Sequence, residues 1–125
     1  MSKTLLANLG LALLRIGPSL MMLAHGYPKF RKLLAGNFEF ADPLGIGEAP
    51  SLFLCVLGEF VAPLFIIVGY KTRYASIPAL ITMLVAAFIV HGADPFSNQE
   101  KALLYSVIFA CIILLGPGKF SIDKK

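Results

Sequence analysis

The sequence predicts an all-α membrane protein, a four-transmembrane-helix bundle with one longer outer loop. Composition is the first reason: 58% of the 125 residues are hydrophobic and 14% are charged, whereas roughly 25% of a soluble domain is charged. A soluble chain of this size would expose much of that apolar surface to water. The second reason is that four apolar stretches approach the length of about 20 residues that a helix needs to cross a bilayer.

The predicted helices cover residues of about 5–27, 51–70, 74–91 and 101–116, within a single domain over residues 1–125. Arg15 interrupts the first stretch, Glu59 interrupts the second, and a Gly-Pro-Gly sequence from Gly116 ends the fourth. Segments such as IPALITMLVAAFIV lack the alternation that spanning strands show, so helices are favoured over a barrel. A cleaved signal peptide is disfavoured because Arg15 breaks an apolar run that is already too long for a signal core.

The placement of basic residues predicts the orientation, because lysine and arginine are enriched in short cytoplasmic loops. With four spans both termini share one side. That side carries six basic residues against four on the other, namely Lys3, Lys71, Arg73, Lys119, Lys124 and Lys125 against Lys29, Arg31, Lys32 and Lys101. We therefore expect a multi-pass protein of the cell inner membrane with both termini cytoplasmic. The loop over 28–50 is expected to lie at the outer interface or to fold back over the bundle.

Several classes of function are disfavoured by the same residues. The basic residues form no exposed stripe with interleaved aromatics, so we expect no nucleic-acid partner. Cys55 and Cys111 lie in separate apolar stretches without metal-type or redox-type spacing, which is typical of inert apolar filling. His25 and His91 also lack the spacing of a metal site, and no metal is expected.

Two buried charges are the main candidate site. A charged side chain inside the bilayer is costly, so it faces protein or water and is paired. Arg15 lies about 15 Å and Glu59 about 16 Å from the same boundary at 1.5 Å per residue, and we predict that the two form an ion pair. Pro18 and Pro63 each free a backbone acceptor nearby. Both a purely structural pair and a polar pocket remain open.

A second cluster is expected near the outer boundary. His25 and Lys29 are four residues apart and so neighbour one another on a helix, and His91 ends the third helix on the same side. Together they would suit an anionic or carbonyl head group. Ser19 joins the interior face of the first helix, which comprises Asn8, Ala12, Arg15, Ser19, Met22 and Gly26. Matching interior faces are Cys55, Gly58, Glu59, Ala62, Ile66 and Gly69 on the second helix and Ala75, Ala79, Thr82 and Ala86 on the third.

The sequence resembles the DoxX family of small four-helix bacterial membrane proteins. The resemblance rests on LLRIGPSLMMLAHGYPKF in the first helix, LGEFVAPLFIIVGYKTRYASI around the second, and the closing GPGKFSID. It covers almost the whole chain in order. The family's polar positions correspond to Arg15, His25, Gly26, Lys29, Glu59, Gly116, Pro117, Gly118, Ser121 and Asp123.

The resemblance implies an accessory or membrane subunit in quinone-linked redox chemistry rather than a self-sufficient enzyme. A quinone would be the ligand, with Arg15 and His25 as donors and Glu59 orienting Arg15 or carrying protons. No flavin, haem or iron–sulfur motif is present in the sequence, so a redox partner protein would be required. The alternative is a non-enzymatic scaffold, assembly factor or small-molecule or lipid binder. A transporter would require a homo-oligomer, because four helices leave little room for a pathway.

Overall fold

The computed structural model describes residues 2–124. Over this range the chain forms four long helices and no strand: α1 (Lys3–Leu34), α2 (Glu48–Val68), α3 (Thr72–Val90) and α4 (Phe96–Leu115). Each helix is long and apolar enough to cross a membrane. The predicted four-helix membrane fold is therefore confirmed.

The first helix is longer than the predicted span. It has 32 residues, or about 48 Å at 1.5 Å per residue, and continues through Pro28 to Leu34 rather than stopping near residue 27. The ring of Phe30 stacks on that of Phe60 in α2, with centroids 4.3 Å apart. This contact packs the last turns of α1 against α2, which offsets the hydrogen bond lost at the proline.

The interior of the bundle follows the predicted faces. Met22 of α1, Ile66 of α2, Ala79 of α3 and Phe109 of α4 are fully buried in one core. Small residues let the helices approach closely: a Cβ added at Gly58 would overlap the side chain of Thr82 in α3. The three predicted interior faces are buried or half-buried along their whole length.

The outer surface of the bundle is strongly apolar. Leu13 on α1, Tyr74 on α3 and Leu114 on α4 expose 74%, 76% and 79% of their surface. In water such large exposed groups would drive association, whereas lipid accommodates them. Together with the length of the helices, this surface makes the chain a multi-pass membrane protein.

The segment after α4 folds back onto the bundle. The N–H of Ile122 donates to the carbonyl of Val68 at 3.2 Å, and the N–H of Asp123 donates to that of Gly69 at 2.8 Å. The carboxylate of Asp123 accepts the N–H groups of Lys71 and Thr72 at 3.0 and 2.9 Å. It therefore caps the start of α3, and the segment 117–123, which we call the tail, closes the turn between α2 and α3.

Candidate functional site

Arg15 is buried by the tail rather than by Glu59. Its guanidinium donates to the carbonyl oxygens of Pro117 and Phe120, both at 2.7 Å, and to that of Ile67 at 3.3 Å. Only 2% of the residue is exposed. The predicted Arg15–Glu59 ion pair is therefore wrong. Arg15 instead donates to carbonyl oxygens of the tail and of the last turn of α2, where the helix dipole favours a cation.

The depth of Arg15 explains the error. Ile67 is the residue before the last of α2, so the guanidinium lies near the end of the bundle that carries the termini. The prediction measured depth along two helices and ignored the tail, which brings two further carbonyl oxygens to the same place. Ser19, one turn further along α1, is fully buried, and neither its hydroxyl nor the Nε of Arg15 has a hydrogen-bond partner within residues 2–124.

Glu59 is paired with Lys29. The ammonium of Lys29 lies 2.7 Å from Oε2 of Glu59, with 31% of the lysine side chain and 6% of the glutamate side chain exposed. The thiol of Cys55, one turn earlier on α2, also contacts Oε2. The sequence analysis placed Cys55 on the same face as Glu59 but interpreted it as inert filling, although the four-residue spacing was the signal that the two side chains meet.

The backbone around Glu59 is irregular. Residues Leu57–Val61 form a π-helical turn within α2, and Pro63 follows it. Gly26 of α1 lies directly against this turn, since a Cβ there would overlap the carbonyl of Glu59. Such π turns are rare and often mark functional sites. A second one, Ala86–Val90, ends α3, and both turns contribute to the same cavity.

That cavity has a volume of about 530 Å³, within the range of roughly 300–1,000 Å³ that is usual for small-molecule sites. It lies at the end of the bundle away from the termini, beneath the loop between α1 and α2. Most of its lining is aliphatic, including Met22, Leu54, Ile81 and Val90. Its polar groups are few, and they come from His25, Lys29, Ser51, Cys55, Glu59, Thr82, His91, Asn98, Lys101 and Tyr105.

The structure thus separates the predicted site residues into two groups. His25, Lys29, Glu59 and His91 all line the cavity, whereas Arg15 and Ser19 lie outside it, nearer the tail. Lys101 and Tyr105 of α4 line the cavity with the first group. Lys101 and Tyr105 are four residues apart, the same signal that linked His25 to Lys29.

Aromatic contacts hold His25 in place at the cavity. The rings of His25 and Tyr105 meet edge to face with centroids 6.4 Å apart, and Tyr105 stacks on Phe109 at 6.2 Å. Such pairs fix ring orientation because the ring quadrupoles favour these geometries. The imidazole of His91 is held separately, with Nδ1 at 2.8 Å from Oδ2 of Asp94. Among residues 2–124, no three histidine, cysteine or acidic side chains converge as a metal site would require.

The loop over 35–47 folds back over the bundle, as one of the two sequence alternatives predicted. Phe40 lies 6.0 Å beneath the ammonium of Lys29 and lines the cavity. Asp42 organises the loop by accepting the N–H of Ile46 at 2.9 Å, the N–H of Gly47 at 3.0 Å and the hydroxyl of Ser51 at 3.0 Å. Desolvation acts to raise the pKa of Asp42, but these hydrogen bonds lower it overall.

Comparison with known proteins places the chain in a family. The family model DoxX matches residues 10–92. An uncharacterised protein of Haemophilus influenzae is 32% identical over 92% of this chain and 89% of its own length. The inner membrane protein YqjF of Escherichia coli is 26% identical over 95% of this chain and 93% of its own length. No solved structure gives a significant match. The chain belongs to the DoxX family.

Proposed function

We propose that this protein is a membrane subunit or accessory protein that binds a quinone in the cavity under the 35–47 loop and serves quinone-linked redox chemistry. The observation that carries the proposal is the composition of this cavity. Its lining is mainly aliphatic, and the polar side chains of His25, Lys29, Glu59 and Tyr105 reach it from α1, α2 and α4. A quinone needs this combination, because its tail is apolar and its two carbonyl oxygens require donors.

The hydrogen-bond donors at the cavity suit the carbonyl oxygens of a quinone. The ring nitrogens of His25 and the hydroxyl of Tyr105 can donate to a carbonyl oxygen, and Lys29 can do so while it remains beside Glu59. Arg15, which the sequence suggested as a donor, has no place in this set because its three hydrogen bonds go to backbone carbonyls. Glu59 remains in contact with the cavity and is the group that would accept or release a proton there.

A bound quinone would supply a lipid-soluble carrier of electrons, and the protein would supply position and polarity. Electrons would have to pass to a partner protein, because the sequence contains no cofactor-binding motif. We therefore place this chain as a component of an oxidoreductase system, with its catalytic partner elsewhere.

We also propose that the protein lies in the inner membrane with both termini in the cytoplasm. A relative is named an inner membrane protein, and the excess of basic residues on the side of the termini predicts that they are cytoplasmic. The Lys29–Glu59 pair strengthens this bias, because a paired lysine lines the cavity and contributes little to the outer charge. A C-terminal fusion to green fluorescent protein should fluoresce, and a fusion to alkaline phosphatase should be inactive. The reverse result would overturn the orientation.

The test of quinone binding is extraction of the purified protein with organic solvent. The protein, isolated in mild detergent, should yield about one quinone per chain. Val90→Phe should lose this quinone because the larger ring fills the cavity that Val90 lines. Ile89→Phe is the matched control: it lies in the same π turn, is equally exposed at 48%, and does not line the cavity.

Two outcomes would contradict the proposal. Quinone that is retained equally by Val90→Phe and Ile89→Phe would place its binding outside the cavity. An extract without quinone, together with a co-purifying protein that has no redox centre, would favour the scaffold or assembly-factor function instead.

A further inference from the structure

Within residues 2–124, three donors at the cavity, besides the side-chain amide of Asn98, have no acceptor from the protein. They are the imidazole of His25, the hydroxyl of Tyr105 and the ammonium of Lys101. The hydrogen bonds and ion pairs formed within residues 2–124 do not use them, whereas Lys29 is bound to Glu59 and His91 to Asp94. These three groups are therefore available to a ligand.

These three groups form one wall, which we call the head-group subsite. Lys101 and Tyr105 are one turn apart on α4, so their side chains project from the same face. Tyr105 contacts the ring of His25 on α1 at a centroid distance of 6.4 Å. Lys101 and His25 line the same cavity. Donors from two helices thus converge at one end of the apolar cavity.

The charge of this wall is positive. The cavity is lined by two lysines, Lys29 and Lys101, and by one carboxylate, Glu59. Because Glu59 is already bound to Lys29 at 2.7 Å, the charge of Lys101 is not offset at the cavity. Lys101 itself is exposed, but the apolar lining on the cavity side lowers the local dielectric and so strengthens its attraction for an anion bound there.

We propose that the head-group subsite of His25, Lys101 and Tyr105 binds an oxyanion, so that the cavity prefers an amphiphile whose acidic head is ionised at neutral pH. For a quinone, this means a ring that carries an ionised hydroxyl next to its carbonyl. A fatty acid offers the same chemistry from another source, with a carboxylate in place of the ring. The proposal rests on the cavity of the proposed function, and it adds the charge of the ligand.

The experiment compares three probes on the full chain in nanodiscs of neutral lipid at pH 7.5. They are 2-hydroxy-1,4-naphthoquinone with a 3-alkyl chain, its 2-methoxy counterpart with the same chain, and a fatty acid of equal chain length. The methoxy compound is larger by one methyl group and carries no charge. Binding is measured by equilibrium dialysis against each probe. The hydroxyl compound should bind about tenfold more tightly than the methoxy compound, because a charge-assisted hydrogen bond is about twice as strong as a neutral one.

Lys101→Gln should reduce the ratio of the two affinities to about one, because glutamine can still donate to either compound but carries no charge. Lys101 is exposed, so its replacement leaves the core intact. Arg31→Gln is the matched control, because Arg31 lies at the same end of the bundle, contacts Tyr27, and does not line the cavity. The preference should be unchanged in this control. Tyr105→Phe should lower the binding affinity for all three probes by a few-fold. The order of the affinities should not change, since only a neutral donor is lost.

Each outcome decides the question. Equal binding of the hydroxyl and methoxy compounds, both lost in Val90→Phe, would overturn the oxyanion preference and leave quinone binding intact. Tighter binding of the fatty acid than of the hydroxyl compound would support the oxyanion subsite but identify a lipid carboxylate as its source. Absence of binding by all three probes would overturn the oxyanion subsite and count against the cavity as a ligand site.

Discussion

The ion pair of Lys29 and Glu59 should be measurable as a coupling free energy. The pair is asymmetric, since 6% of the glutamate side chain is exposed against 31% of the lysine side chain. Lys29→Met leaves a buried carboxylate without its cation, and we expect a loss of about 3 kcal/mol in the free energy of unfolding, the lower end for a broken buried pair. Glu59→Gln keeps an acceptor for the lysine, which can also reach water, so its cost should be about 1–2 kcal/mol.

The double variant Lys29→Met/Glu59→Gln should be more stable than the sum of the two losses predicts. The second substitution removes the uncompensated charge that makes the first one costly, so the coupling should be about 1–2 kcal/mol. Unfolding is followed by circular dichroism during titration with sodium dodecyl sulfate in dodecylmaltoside micelles. Additive losses would refute the pairing.

A second double-mutant cycle tests whether Arg15 and Glu59 interact. Arg15→Met should be destabilising in its own right, because it leaves the carbonyl oxygens of Pro117, Phe120 and Ile67 without donors. In combination with Glu59→Gln, however, its effect should be additive within about 0.5 kcal/mol, as expected for residues with no shared contact. A coupling above about 1 kcal/mol in this cycle would restore the Arg15–Glu59 pair that the sequence suggested.

Three further variants test the tail, the helix contact and the loop. Asp123→Ala should lower stability by about 0.5–2 kcal/mol, since α3 loses its N-terminal acceptor, and should speed trypsin cleavage within the tail. Gly26→Ala should lower the melting temperature because its Cβ meets the carbonyl of Glu59, whereas Gly10→Ala, with nothing within 4 Å, should not. The lowered pKa of Asp42 means that its support of the loop is complete above about pH 4, the unfolded value, and is lost as pH falls through the folded value. Proteolytic cleavage of the loop should therefore accelerate in acid for the native protein. In the Asp42→Asn variant the loop should be cleaved rapidly at every pH.

The helices and their interior faces could be predicted because they follow from hydropathy and a period of 3.6 residues. Burial of Arg15 and Glu59 was predictable for the same reason, since a charge on an interior face must be buried. The residues that pair with Arg15 and Glu59 could not be predicted in this way. Glu59 contacts Lys29 because α1 continues through Pro28, and Arg15 contacts carbonyls because the tail returns to the bundle.

The segments that carry these contacts have no periodicity. Two glycines with positive φ, Gly116 just before the tail and Gly118 within it, reverse the chain after α4 in a way that hydropathy does not encode. The loop over 35–47 is folded by the side chain of Asp42 on local N–H groups, a contact that depends on the exact turn. Sequence patterns therefore predicted which side chains are interior, and only the structure showed which segment covers them.

The two ends of the bundle consequently have different tasks. At the end with the termini, Arg15 and Asp123 are both directed at backbone groups: Arg15 donates to three carbonyls, and Asp123 accepts two N–H groups. A ligand at this end would have to replace those hydrogen bonds, although Nε of Arg15 and the hydroxyl of Ser19 have no partner within residues 2–124. At the other end, His25 and Lys101 line the cavity, and neither forms a hydrogen bond or an ion pair within residues 2–124. The cavity end is therefore where we propose that a ligand binds, and the closing Gly-Pro-Gly-Lys motif is explained by closure of the fold.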